Sequence, residues 1–302
     1  MNNRTPALEI NQLTRCYGRR EAVHGLNLTV PPGRCYGFFG RNGAGKTTTI
    51  KCLLNLLKPD SGTIRVFGLD PAKAEGEVKS RLAYVPDTVA FYPWMTVRGA
   101  LEYFASFRPR WNQNLERELL GRFGLDVHQK ASALSKGQKT QLALVAAVCP
   151  EPDLLVLDEP TSGLDPIVRR EFIQTVIGAY QESGPTRKTV FVSTHLISEF
   201  EGLIDEFTII DQGRAMMTME ADAAREQFQR IRARFAQPPP ALKFDGATVI
   251  NHHSREVEIV ARKDPPRVLE WLKTFSPETL STEALSLEEI FVAALKPEGG
   301  AL

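Results

Sequence analysis

The amino-acid sequence predicts an α/β fold: a core on parallel strands, with an antiparallel β subdomain and a helical subdomain, followed by a small C-terminal α+β appendage. Three observations predict it. Over the first two thirds of the chain, short apolar runs with few charges alternate with helical stretches, the pattern of a parallel sheet covered on both faces. Between Met95 and Val148 the pattern is mostly helical, which reads as an insertion within the α/β domain. Near Asp211-Gln212-Gly213-Arg214 the texture changes, and a separate small domain begins at about residue 218.

Ala7–Leu13, Leu26–Val30 and Thr63–Phe67 alternate polar and apolar residues, as antiparallel strands do. Tyr36–Phe39, Leu154–Leu157 and Thr189–Thr194 are buried strands of the core, and Thr48–Leu57 is a helix. In the helical subdomain, about residues 88–150, Leu101, Phe104 and Ala105 share one face and Leu115, Leu119 and Leu120 another. The domains expected are therefore 1–217 and 218–302. In the second, a polar helix runs from about Glu220 to Phe235, and Pro238-Pro239-Pro240 breaks the chain. Two strands (Ala247–Ile250 and Val257–Ala261) and two helices (about Arg267–Phe275 and Ser286–Leu295) follow, with His252-His253 at a solvated hairpin tip.

Composition removes several classes. Of 302 residues, 42% are hydrophobic and 24% charged, ordinary for a globular protein. A net charge of +1 from 37 basic and 36 acidic side chains lacks the basic excess of duplex binders, so no nucleic-acid partner is expected. Cys16, Cys35, Cys52 and Cys149 fit neither a zinc site nor a disulfide framework, and read as reduced cysteines of a cytosolic protein. The start, Met1 to Pro6, has no apolar core and is not a signal peptide. The longest apolar run, Leu142 to Cys149, falls short of the about 20 residues that span a bilayer. The chain can still sit against a membrane through a partner that crosses it.

Two motifs carry chemistry. Gly40-Arg41-Asn42-Gly43-Ala44-Gly45-Lys46-Thr47 fits G-x-x-x-x-G-K-[ST] between an apolar strand and a helix. Its glycines let successive N–H groups point inward, and the helix N-terminus adds partial positive charge, so the loop is an anion nest. Lys46 can reach the β- and γ-phosphates, and the Thr47 hydroxyl can ligate Mg²⁺. Leu154-Leu155-Val156-Leu157-Asp158-Glu159 delivers carboxylates at the C-terminal end of a strand, where α/β sheets bind ligands. Asp158 would hold Mg²⁺, and Glu159 can face an attacking water as general base. Together the two motifs make the core a phosphate-loop ATPase core.

Leu134-Ser135-Lys136-Gly137-Gln138 resembles the signature sequence of ABC (ATP-binding cassette) ATPases, usually LSGGQ, and its Ser135 stands 23 positions before Asp158 as in that family. Ser162-Gly163-Leu164-Asp165 resembles its D-loop, and Thr194-His195 its switch histidine. Tyr17 stands 29 positions before Lys46, where the family places the aromatic that stacks on adenine. The resemblance covers roughly residues 7–215. It implies that Tyr17 stacks on the base of ATP and that Asn42, Gly43, Ala44, Gly45, Lys46, Thr47 and Thr48 cradle the phosphates. It implies too that Ser135, Gly137 and Gln138 reach the γ-phosphate held by another protomer, in a homodimer or a heterodimer with a related ATPase. His195 would touch the γ-phosphate and position the water, beside Lys46 and Glu159 as catalytic groups.

The sequence departs from the family pattern at Lys136, where the first signature glycine is usual, and at Asp87, where most members carry glutamine. Ionised aspartate only accepts hydrogen bonds, so Asp87 is expected at Mg²⁺ through a water, joining Thr47 and Asp158. Ser286–Phe291 resembles the end of ATPase subunits of ABC-2 type exporters, which pair with a separately encoded membrane permease; the other reading is a simple amphipathic closing helix. The resemblance thus implies an ATPase at the cytoplasmic face of the cell membrane, bound through its permease beside residues 84–111, where eight of the 25 aromatic residues lie. A soluble ABC protein of translation or DNA repair is the alternative. Repair members insert long coiled coils or zinc modules between the phosphate loop and the signature, here only 89 positions apart from Lys46 to Ser135, and translation members usually carry two cassettes.

Overall fold

Alternation in Leu8-Glu9-Ile10 and Leu26-Asn27-Leu28 sends every second side chain inward. Accordingly β1 (Leu8–Tyr17) pairs antiparallel with β2 (Arg20–Val30), Leu8 opposite Val30 and Tyr17 opposite Arg20. The alternation slips at Gln12, whose φ of 51° coincides with a register shift that returns Leu13 to the core. The computed structural model describes residues 5–181, 188–239 and 244–295. The chain divides into two units, Met1–Ala215 and Met216–Leu302.

The first unit continues with β3 (Cys35–Phe39), α1 (Lys46–Leu53), β4 (Ser61–Val66), α2 (Glu75–Arg81), β5 (Leu82–Val85), α3 (Val97–Ala105), α4 (Gln113–Arg122), α5 (Lys136–Val148), β6 (Leu154–Asp158), α6 (Pro166–Gln181), β7 (Thr189–Thr194) and β8 (Glu206–Asp211). The division between the units falls within β9 (Arg214–Glu220). One sheet has the order β2-β1-β4 and is antiparallel. The second has the order β5-β6-β7-β3-β8-β9, with β5 to β8 parallel. Every residue of β3, β6 and β7 is buried, which explains why these runs lack alternation. The α/β class expected from the sequence holds.

Register places the site. Phe39 pairs with Thr194, and Asp158 with Ser193. The residues that follow these strands, Gly40, Glu159 and His195, therefore emerge at one edge of the sheet.

Several sequence expectations need correction. The helix expected over Thr48–Leu57 ends at Leu53, because Asn55 turns left-handed at φ 56°. The Asn55 and Leu56 amides then close the end on the Cys52 and Lys51 carbonyls, a Schellman cap. In α3 the buried face is Val97, Ala100 and Leu101, while Phe104 is exposed and meets Phe91 edge-on at 6.2 Å. The apolar run Leu142–Cys149 is buried in and after α5, and among the described residues no helix is long and apolar enough to cross a membrane.

The second unit contains α7 (Ala221–Gln227), β10 (Gln229–Arg234), β11 (Ala247–His253), β12 (Glu256–Ala261), α8 (Pro265–Lys273), β13 (Thr279–Ala284) and α9 (Leu287–Leu295). Its antiparallel sheet has the order β11-β12-β10-β13. The polar helix expected over Glu220–Phe235 is wrong in its second half. Gln229–Arg234 is a strand with Ile231 and Ala233 buried, while Arg230, Arg232 and Arg234 meet glutamates of the neighbouring strands. Apolar residues at every second position between arginines mark a half-buried strand, not a polar helix. His252 and His253 end β11 rather than form the turn, pairing with Val257 and Glu256. Of the expected break at Pro238-Pro239-Pro240, Pro240 lies outside the described residues. The core of this unit joins Ile231, Val257 and Ile259 to Val268 and Leu272 of α8.

Candidate active site

The loop 40–45 bends where its glycines allow it. Gly45 has φ 108°, and a Cβ there would stand 2.4 Å from the Ala22 carbonyl oxygen, so no side chain fits. The Ala44 carbonyl accepts the Gly213 amide at 2.9 Å, bracing the loop on the turn after β8. At the start of α1, Lys46 is only 5% exposed. Its Nζ donates to the carbonyls of Gly40 at 2.6 Å and Arg41 at 3.2 Å. It also lies 2.9 Å from Glu159 Oε1, an ion pair by distance whose angles do not make a hydrogen bond.

Glu159 leaves β6 in the left-handed region, φ 46°, at a cost of about 1–2 kcal/mol for a residue with a Cβ. Pro160 disfavours the ordinary helical alternative. The Glu159 amide donates to the Ser193 carbonyl at 2.8 Å, which holds the kink. Its Oε2 then accepts from Thr194 Oγ1 (3.3 Å), the His195 amide (3.3 Å) and the His195 Nδ1–H tautomer (2.7 Å). One carboxylate thus gathers the phosphate-loop lysine and the histidine after β7.

Asp158 is 1% exposed. Its Oδ1 accepts from Ser193 Oγ at 3.1 Å, whereas its Oδ2 has no hydrogen-bond partner. Burial pushes its carboxyl above the usual carboxylate range; the hydroxyls of Thr47 and Ser193 draw it down, and the Glu159 charge raises it further. An orphaned buried carboxylate oxygen beside a threonine hydroxyl is an oxygen-only donor set, which suits a hard divalent cation such as Mg²⁺.

Sequence reasoning missed Tyr84, on β5. Burial first, then the charges of Asp158 and Asp87, push its phenol well above the usual range. Tyr84 thus feels the charge of both carboxylates, and Asp87 itself is exposed in the bend that follows β5. Pairing of Tyr84 with Val156, two residues before Asp158, is the placement that sequence alone did not supply.

Tyr17, 47% exposed, ends β1 with the Arg15 guanidinium 5.3 Å from its ring centroid. Arg20, opposite it in the hairpin, reaches the phosphate loop: its Nη2 lies 3.5 Å from where a Gly43 Cβ would stand. Asn42 and Gly43 are exposed at the loop's rim, with Thr48 in the first turn of α1.

Ser135, Gly137 and Gln138 stand apart from this cluster in their bonding. Ser135 and Gln138 form a capping box at the start of α5, at 3.0 and 3.2 Å. Gly137 lies against Val168 of α6. Lys136 donates to the Ser162 carbonyl at 2.7 Å.

A glycine-lined loop at a helix N-terminus, a buried lysine and two carboxylates at the ends of parallel strands define a phosphate-loop ATPase. The family model described as "ABC transporter" matches residues 23–162. The bacitracin transport ATP-binding protein BcrA of Bacillus licheniformis is 36% identical over 222 residues, covering 73% of this chain and 72% of that protein. The daunorubicin/doxorubicin resistance ATP-binding protein DrrA of Streptomyces peucetius is 32% identical over 314 residues, covering 96% and 92%. A solved ATP-binding subunit of an ABC transporter superposes with a TM-score of 0.66 at 28% identity, over 73% of this chain and 92% of that one. The chain belongs to the ABC transporter family, as an ATP-binding, ATP-hydrolysing subunit.

Proposed function

We propose that this subunit powers an exporter: it hydrolyses Mg-ATP as a two-fold dimer, beneath a separately encoded integral-membrane permease. The observation that carries the catalytic half is the convergence of Lys46, Asp158, Glu159 and His195 at one sheet edge. Lys46 leaves Glu159 for the β- and γ-phosphates of ATP, which the backbone N–H groups of residues 42–48 and the dipole of α1 also face. Tyr17 stacks on the base. Asp158 and Thr47 would hold Mg²⁺, with Asp87 as a further carboxylate for it. When bound, the metal supplies positive charge to the phosphate oxygens. Glu159 takes the proton of the attacking water, and His195, indexed by Glu159 Oε2, orients that water and the γ-phosphate.

The signature supports the dimer. Its hydrogen bonds run to itself and to the D-loop, leaving Ser135, Gly137 and Gln138 to complete the site of a second copy or a related ATPase. Exposed aromatics support the permease contact: Trp94 is 68% exposed and stacks with Tyr92 at 4.8 Å, and Tyr103, Phe104 and Phe107 lie on α3 and the turn after it. Such a cluster anchors a protein partner. On this reading the chain sits at the cytoplasmic face of the membrane, held through the permease. Export is favoured by the names of the relatives, a transporter of bacitracin and a drug-resistance protein.

Light scattering of Glu159→Gln with Mg-ATP tests the dimer. The expected result is a doubled mass with ATP trapped; a monomer holding no ATP overturns it. Co-purification with the permease tests docking. Phe91→Ala/Trp94→Ala, with ATPase activity intact, should lose the permease, and capture at wild-type yield overturns that contact.

A further inference from the structure

We propose that Lys136 is a positioning residue that fastens the D-loop of its own protomer to its signature turn. After Glu159 the chain makes two successive turns. The Ser162 amide donates to the Glu159 carbonyl at 3.1 Å, and the Leu164 amide to the Thr161 carbonyl at 3.1 Å, with Gly163 at φ 69°. Pro160 and Gly163 stand where such turns require them. The loop is tied from outside at three places. Arg169 Nη2 of α6 donates to the Leu164 carbonyl at 3.2 Å. Glu199, 9% exposed, accepts the Thr161 hydroxyl and pairs with Arg169 Nη1 at 2.8 Å. Lys136 Nζ donates to the Ser162 carbonyl at 2.7 Å and covers Gly163, where a Cβ would lie 2.9 Å from it.

The third tie comes from the signature itself, at the position where the family pattern has glycine, which cannot make it. Lys136 is the first residue of α5, fixed by the capping box behind it. Gly137 brings the same turn against α6, a Cβ there standing 3.3 Å from Val168, and Gln141 Nε2 donates to Glu171 at 2.9 Å. A displacement of the signature is therefore transmitted to the backbone three residues after Glu159. Resting on the reading that Ser135 and Gly137 meet the partner's ATP, this gives a path by which closure of one protomer on the other aligns the general base within each.

The test uses the full chain. Lys136→Ala should lower kcat about fivefold. Affinity for a fluorescent ATP analogue without Mg²⁺ should stay within about twofold of wild type, since the ammonium touches no group proposed to bind ATP in its own protomer. Lys136→Arg, which can donate to the same carbonyl, should recover most of the rate. Gly163→Ala strains the same contact, so the double variant Lys136→Ala/Gly163→Ala should be no slower than the slower single variant. Wild-type kcat for Lys136→Ala, no recovery with arginine, or losses that multiply in the double variant each overturn the proposal. Dimer formation separates it from its premise. Glu159→Gln and Glu159→Gln/Lys136→Ala should dimerise equally with Mg-ATP. Loss in the second alone would put the ammonium on the partner's phosphate and overturn the positioning role; no dimer in either overturns the underlying reading, and this proposal with it.

Discussion

Replacing Glu159 by glutamine should separate the stability of the chain from its turnover, with the sign set by nucleotide. Without ATP, Lys46 and Glu159 neutralise each other at 2.9 Å, with 5% and 11% of their side chains exposed. Breaking a buried ion pair costs about 3–5 kcal/mol when one charge is stranded. Here the stranding is partial: Lys46 keeps its bonds to the Gly40 and Arg41 carbonyls, and the glutamine amide oxygen keeps the place of one carboxylate oxygen. A net loss of about 1–2 kcal/mol is expected, which for a unit of this size lowers Tm by roughly 2–8 °C. With Mg-ATP the triphosphate replaces the lost anion and is not consumed. Ligand at about 100 times its Kd contributes about 2.7 kcal/mol, so the variant should then melt at or above wild type. Turnover should fall about 10²–10⁴-fold, the share of a general base. Differential scanning fluorimetry, with and without Mg-ATP, reads the first effect and phosphate release the second. Lys46→Ala is the control, expected to lose both the nucleotide-dependent shift and the activity. Equal melting of Glu159→Gln and wild type without nucleotide would refute the pair's contribution. Equal loss of ATP affinity in the two variants would refute the division of roles.

Three further outcomes are expected. Gly45→Ala should lose ATP binding and lower Tm by more than about 4 °C, because φ 108° and a Cβ 2.4 Å from a carbonyl oxygen both oppose it; a calorimetric titration with wild-type affinity would show that the loop relaxes freely. Glu289→Gln should destabilise the second unit most at neutral pH, and less as pH falls below the normal carboxylate range. Burial raises the Glu289 carboxyl, but the Ser286 backbone and side chain and the Arg230 guanidinium more than offset this and hold it low, so its contribution is present at neutral pH and lost as pH falls through its depressed value. Urea midpoints of the two proteins should converge on acidification, and a gap that widens would reverse the sign. Native thiol titration at pH 8 should find Cys16 alone, half-buried, since Cys35, Cys52 and Cys149 are buried and burial, with the charges of Glu116 and Glu151, pushes Cys149 up to about 12. Fast labelling of Cys149 before denaturation would contradict its packing.

What the sequence could convey depended on how local the signal was. The phosphate loop and the Asp158-Glu159 pair are contiguous motifs between apolar runs, so residue order alone located them. The buried strands β3, β6 and β7 were equally plain, because a charge-free run of five or six residues has few other uses. Tyr84 was only one of the eight aromatics of residues 84–111, since nothing near it in sequence reveals that β5 lies beside β6, with Tyr84 opposite Val156. The Thr161–Glu199–Arg169 network was invisible for the same reason: 38 positions separate Thr161 from Glu199. In the second unit, β10 was lost because the polarity of its arginines outweighed their period of two, which is the strand signal, and β13, Thr279-Leu280-Ser281-Thr282-Glu283-Ala284, is an exposed edge with almost no apolar alternation. The Ser286-to-Glu289 motif of the tail has a physical reading of its own: it is a capping box whose glutamate also reaches Arg230.

The pairing of Asp158 with Ser193 has a wider implication. Ser193 holds Asp158 through its hydroxyl and Glu159 through its carbonyl, while Thr194 and His195 hold the Glu159 carboxylate. Consecutive residues of one strand thus act as a ruler for consecutive acids of its neighbour. The spacing of the catalytic groups is inherited from the hydrogen-bond ladder of a parallel sheet, whose repeat no single side chain can adjust. Substitutions deep in β6 or β7 that shift this ladder by fractions of an ångström would surface as lost turnover long before lost folding, and directed evolution of the ATPase rate would find its freest variables in the loops, not in the strands that calibrate them.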